Sequence, residues 1–166
     1  DGKGTIYLYF DSKEAVFTAL VQNRLGAKLD VANDLVERHQ GPVAPLLAGL
    51  LRTIGGFLRT SDLVVLPKIV IAEAGNFPDL ARMYRRAVVE RGLALLGRVI
   101  ERGQESGEFR PVAVEHAVRL AISPLLMLAI WRTTFATLDP APYDYEGLVE
   151  ALIPTLLHGL AKENAE

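Results

Sequence analysis

Lys13 is a cation in an unfavourable place. It stands between Asp11 and Glu14, and the spacing Asp-x-x-Glu marks the first turn of a helix. That turn carries partial positive charge, so an ammonium there works against the helix dipole. A cation held in such a place has an anion to meet, and phosphate is a good candidate. The residues before it add to the same chemistry. Gly2, Gly4 and Thr5 are small and let a backbone come close to another surface. Lys3 brings a second ammonium, Tyr7 and Tyr9 bring hydroxyls, and Phe10 is an apolar anchor.

Other chemistries find little support. The chain has no cysteine, which removes disulfides, a thiol nucleophile and zinc-thiolate sites. His39, His116 and His158 are far apart and form no metal-ligand spacing, so no metal or other cofactor is expected. Glu73, Glu90 and Glu101 show no acid/base pairing, and Gly2-Lys3-Gly4 lacks the rest of a phosphate loop. No catalytic residue is expected. The arginines Arg82, Arg85, Arg86, Arg91, Arg98 and Arg102 read as a solvated helix face, with Glu101 and Glu105 as partners.

The elements that must position these groups are helical. No segment alternates with period two and no hairpin dipeptide occurs. Residues 2–17 read as the end of a short helix, a tight turn and the start of a long helix from Ser12 to about Arg38. Val16, Leu20, Ala27, Val31 and Leu35 form its expected apolar stripe. Gly41, Pro42 and Pro45 end it and open a helix rich in leucine, through Leu58. Ser61 is the expected N-cap of a helix to about Ala74, with Pro67 kinking it. Pro78 opens a long helix that stops at Ser106-Gly107, and further helices are expected over 113–135 and 145–161.

The run Lys3-Gly-Thr-Ile-Tyr-Leu-Tyr-Phe-Asp-Ser-Lys-Glu-Ala-Val-Phe17 resembles the TetR family of transcriptional regulators. Lys3, Gly4, Thr5, Ile6, Tyr7, Tyr9, Phe10, Ser12, Lys13, Glu14, Val16 and Phe17 match, without a gap, the family's recognition helix and the helix after it. The stretch Ile71 to Leu80 resembles, less specifically, some C-terminal domains of that family. The resemblance implies an all-α protein: the remnant of a helix-turn-helix DNA-binding domain over 1–28, then a larger helical effector-binding and dimerisation domain over 29–166. It also implies that earlier helices of the DNA-binding domain are absent or truncated here. Asp1 and Gly2 depart from the family pattern, which concerns the cap of the recognition helix.

On that resemblance Lys3, Gly4, Thr5, Tyr7, Tyr9 and Lys13 lie on or beside the DNA-facing surface. The chemistry agrees, since hydroxyls and ammoniums bond phosphate oxygens and Thr5 can touch a thymine methyl. The net charge is −2 overall. From Asp1 to Lys28 the cations Lys3, Lys13, Arg24 and Lys28 outnumber Asp1, Asp11 and Glu14 by one. That is a weak patch, so this stretch alone should bind DNA poorly.

The last two helices carry an apolar excess. Val118, Ile122, Leu125, Leu152, Leu156 and Leu160 are the expected dimer interface, an isologous contact of four helices. Phe57, Met83, Tyr84, Met127 and Trp131 are the expected effector pocket, with Pro67 and Pro124 bending helices to leave room. The longest nearly apolar stretch, Leu120 to Trp131, reads as too short to cross a bilayer. These features describe a cytoplasmic, homodimeric DNA-binding regulator, a repressor that a small hydrophobic effector releases from a palindromic operator. The rival readings are a helical ligand-binding protein or enzyme without DNA binding, and an adaptor that docks through its apolar terminal helices.

Overall fold

In a computed structural model, residues 13–163 are described. Six helices carry the described residues. Helix α1 covers residues 13–38, and its middle widens into a π-turn at Val21–Leu25. Helix α2 is Val43–Thr60. A 3-10 turn, Asp62–Val64, leads into α3, Val65–Glu73. Helix α4 covers residues 78–105, with a second π-turn at Arg85–Val89. Helices α5, Val114–Thr134, and α6, Tyr145–Leu160, complete the bundle. Among the described residues the nearest thing to a strand is one antiparallel bridge between Phe109 and Ala161.

Apolar burial divides between two cores. The large one joins α2, the second half of α4, α5 and α6 around Leu47, Leu51, Leu96, Ile100, Leu125 and Leu128, all nearly or wholly excluded from water. The small one holds Phe17, Val21 and Leu25 of α1 against Leu63, Leu66, Leu80 and Tyr84. Phe57 touches both.

The buried face of α1 corrects the expected stripe by one position. Val16, Val31 and Leu35 are exposed, while Phe17, Val21, Leu25 and Val36 are buried. Adjacent apolar pairs such as Val16-Phe17 and Leu35-Val36 leave periodicity unable to choose between the two lines. Packing against α3 and α4 chooses. Steps of four residues drift sideways on a helix of 3.6 residues per turn. The π-turn is wider and absorbs the drift at Val21–Leu25. It packs directly against the other π-turn, Arg85–Val89.

Cations from other parts of the chain, three on helices and Arg110 in the loop before α5, close four helix ends. Arg102 of α4 donates to the main-chain oxygens of Val36 (2.6 Å) and His39 (2.9 Å) at the end of α1. Arg132 of α5 donates to Leu58 (2.9 Å) and Ser61 (3.0 Å) at the end of α2. Lys68 donates to the Thr133 carbonyl at the end of α5, at 2.6 Å. Arg110 donates to the Gly159 carbonyl near the end of α6, also at 2.6 Å. The last carbonyls of a helix lack partners within it and carry partial negative charge, so each contact satisfies both needs. The start of α2 has the converse arrangement. Pro42 offers no capping side chain, and Glu108 instead accepts from the amides of Val43 (2.7 Å) and Ala44 (3.0 Å).

Three further expectations are corrected. Pro67 sits in the first turn of α3, where its missing N–H has no helical partner to lose, so it is no mid-helix kink. Helix α5 has 21 residues and is long and apolar enough to cross a membrane by length and composition alone. Its Ala117, Val118, Ala121, Leu125, Leu128 and Ala129 are nevertheless buried within the bundle. The arginines of α4 do not simply face solvent beside Glu101 and Glu105. Arg91 pairs with Asp30 and Arg98 with the Asn33 side-chain oxygen, both on α1. Arg82 pairs with Asp79, and Arg85 with Glu90 at 3.1 Å.

Candidate functional site

Lys13 lies in the first described turn of α1 and is exposed. Four residues on, Phe17 turns inward and fixes that turn to the body of the protein. Its ring packs on that of Tyr84, centroids 6.4 Å apart and tilted by 44°. Lys3, Gly4, Thr5, Tyr7 and Tyr9 lie outside the described residues.

The five expected pocket residues separate into two groups. Phe57, Met83 and Tyr84 meet around the small core. Tyr84 is 9% exposed, and burial pushes its phenol up from 10.0 to about 12. The Lys28 ammonium lies 5.1 Å from the centre of the Phe57 ring, a cation–π contact between α1 and α2. Met127 and Trp131 belong elsewhere. They are 55% and 38% exposed and lie on the outer face of α5. The Trp131 ring contacts Phe135 at 5.0 Å, and its Nε1 donates to Asp139 Oδ2 at 2.8 Å.

The expected interface residues are redistributed as well. Val118, Leu125 and Leu160 are buried in the large core and present nothing to a partner. Ile122, Leu152 and Leu156 are partly buried against the same core. The apolar residues that α5 leaves in solvent are Leu120, Leu126, Met127 and Trp131. Leu120, Met127 and Trp131 are spaced by seven and four residues and share one face. From Leu120 to Trp131 the apolar pattern of α5 is nearly continuous, so composition alone could not separate its inner face from its outer one there.

Two polar features lay beyond sequence reasoning. The Tyr145 hydroxyl is buried and has no hydrogen-bond partner among the described residues. Burial, with the nearby Asp139 carboxylate as the next cause, raises its pKa. Between α1 and α4 lies a cleft of about 180 Å³, lined by Leu29, Asn33, Arg91, Ala94, Leu95 and Arg98. The spacing of Arg91 and Arg98 marked one helix face, but only the packing of α1 against α4 makes it the wall of a cleft. Among the described residues no cluster of three His, Asp or Glu side chains could hold a metal ion.

Residues 39–152 match the family model described as the tetracyclin repressor-like C-terminal domain. The match spans α2 to α5 and the first half of α6, well over half of the chain. The chain belongs to the TetR family. Its fold agrees with that of solved TetR-type regulators at low identity. One is the transcriptional regulator FadR from Bacillus subtilis, in complex with stearoyl-CoA: 18% identity, TM-score 0.70, covering 95% of this chain and 81% of that one. Another is a TetR-family transcriptional regulator from Mesorhizobium loti: 20% identity, TM-score 0.68, covering 96% and 81%. Among curated proteins none matches the chain. TetR-family regulators are transcription factors without enzymatic activity; they bind DNA, respond to small ligands and dimerise. The all-α fold class and the regulator reading therefore stand, and the enzyme alternative falls.

Proposed function

We propose that the protein is a cytoplasmic, homodimeric TetR-type repressor that a small hydrophobic effector releases from a palindromic operator. Residues 1–28 are the end of the DNA-binding domain, and residues 29–166 form the effector and dimer domain. Lys3, Gly4, Thr5, Tyr7, Tyr9 and Lys13 contact the duplex. The observation that carries this reading is the small core. Phe17, at the start of α1, packs with Leu66 of α3 and Tyr84 of α4, and Phe57 ties that cluster to the main core. Whatever displaces Phe57, Met83 or Tyr84 moves the segment that follows the DNA-facing residues. An effector seated among those three side chains acts by binding one arrangement of α1 better than the other. The B. subtilis regulator holds stearoyl-CoA, a long-chain acyl thioester, which supports an apolar effector here.

The dimer forms through the exposed face of α5, with Leu120, Met127 and Trp131 at its centre, alongside α6. Two such protomers place two DNA-facing segments on a two-fold axis, as half-sites require.

A gel-shift assay of the complete gene product on DNA adjoining its own gene tests this reading. Run at two salt concentrations, binding weakens as salt rises. Long-chain acyl thioesters release the DNA, and Met127→Glu yields a monomer in sedimentation that no longer shifts it. Absence of any shift at low salt, or a shift that the Met127→Glu monomer keeps, contradicts the proposal.

A further inference from the structure

We propose that the cleft between α1 and α4 is a second ligand site that takes a phosphate group on Arg91 and Arg98. Those arginines stand seven residues apart on one face of α4. Between them on that face is Ala94, whose short side chain leaves the space open. The floor is apolar, with Leu95 buried and Leu29 half-buried. The opening of about 180 Å³ has room for a phosphate and part of what it is attached to. Guanidinium groups present paired N–H donors that match phosphate oxygens, and two of them can clamp one group.

Neither arginine has a partner that would hold it against such a ligand. Arg91 pairs with Asp30, whose side chain is 73% exposed. Exposed pairs of this kind contribute little and exchange readily. Arg98 donates to the neutral amide oxygen of Asn33. Among the described residues no carboxylate lies within ion-pair distance of Arg98. The Asn33 amide donates in turn to Glu37 Oε1 at 3.3 Å, which keeps its oxygen turned toward the arginine. Among the described residues the lining of the cleft therefore carries two cations and no carboxylate; Asp30 pairs with Arg91 from outside that lining, and Glu37 accepts from the Asn33 amide. A phosphate takes the place of Asp30 on Arg91 and of Asn33 on Arg98.

The place also matters. Gly26 follows the π-turn of α1, and a Cβ there would lie 3.6 Å from Arg91 Nη1. Arg91 lies two residues past the π-turn of α4. A ligand on Arg91 thus sits beside both wide turns where the two helices meet, away from Phe57, Met83 and Tyr84. An influence on operator binding would rest on the repressor reading, whereas the binding itself does not.

Calorimetry on the full chain without DNA tests the site, with inorganic pyrophosphate as a free-phosphate probe and dodecyl phosphate, below its micelle concentration, as an amphiphilic one. Saturable binding of at least one probe is expected at low ionic strength. Arg98→Gln weakens it about tenfold or more, and Asp30→Asn strengthens it by removing the competing carboxylate. Tighter binding of dodecyl phosphate identifies a phosphate carried by an apolar body; equal binding identifies free phosphate. Both substitutions lie on exposed side chains, and matching melting curves confirm that the variants are folded. No saturable binding of either probe, the same affinity in Arg98→Gln, or weaker binding in Asp30→Asn overturns the proposal. Loss of the gel shift with phosphate binding intact would count against the repressor reading alone.

Discussion

Phe17 and Tyr84 pack ring against ring, and this contact fastens the start of α1 to the first half of α4. Both belong to the small core, which among the described residues shares only Phe57 with the large one. Phe17→Ala removes the largest α1 side chain of that cluster. The expected cost is about 3–5 kcal/mol, the usual range for a buried Phe truncated to Ala. Its effect is local. Amide hydrogen exchange should rise across 13–25 and α3, while α2, α5 and α6 keep their protection. A uniform rise over all six helices would show that the two cores open as one.

Tyr84 makes the same cluster sensitive to alkali. Burial holds its phenol near 12, above the ordinary 10.0. The folded state keeps the proton longer than the unfolded state does. Stability is therefore complete below pH 10 and falls as pH rises from there toward 12. The loss across that window is about 3 kcal/mol, from two pKa units at about 1.4 kcal/mol each. Urea midpoints measured across this range should decline for the wild type and much less for Tyr84→Phe. Parallel declines in the two proteins would refute the assignment.

Gly55 of α2 lies hard against Val149 of α6, where a Cβ would meet Val149 Cγ2 at 2.6 Å. Gly55→Ala should cost about 1–3 kcal/mol by overpacking. Val149→Ala in the same chain should recover part of that cost, and a double-mutant cycle measures the coupling. Strict additivity would mean that α6 moves aside freely.

Arg132 closes the C-terminal end of α2 through Leu58 and Ser61. Arg132→Met keeps the apolar stem but strands part-buried carbonyls, at an expected cost of about 1–3 kcal/mol in thermal or urea unfolding. Tyr145→Phe should do the opposite. Its hydroxyl is buried without a partner among the described residues, so its removal leaves stability unchanged or raises it by about 1 kcal/mol. A clear loss in Tyr145→Phe would point to an ordered partner at that hydroxyl.

Leu35, part of the expected apolar stripe of α1, is 53% exposed and is not placed to carry a signal through the interior. Phe57, which bridges the cores, is the position where substitution should separate effector response from DNA binding. If Phe57→Leu loses both in step, the small core does not transmit the signal.

The sequence by itself determined the helices, their punctuation and the family. Gly41-Pro42, Ser61, Pro78 and the Ser106-Gly107 turn are local signals, and they fell where the helices begin and end. The tertiary structure decided which face each helix buries. From Leu120 to Trp131 of α5 all but Ser123 and Pro124 are apolar, so Leu125 looked as available to a partner as Leu120 and Met127 until neighbours covered it. In α1 the choice between Leu35 and Val36 rested on contact with other helices and on a π-turn that no residue type announces. The cation-closed helix ends and the arginine cleft join residues more than sixty positions apart, or nearly fifty for Arg110 and Gly159. Periodicity and capping rules act within a few turns of chain; pairing across that separation exists only once the bundle has formed.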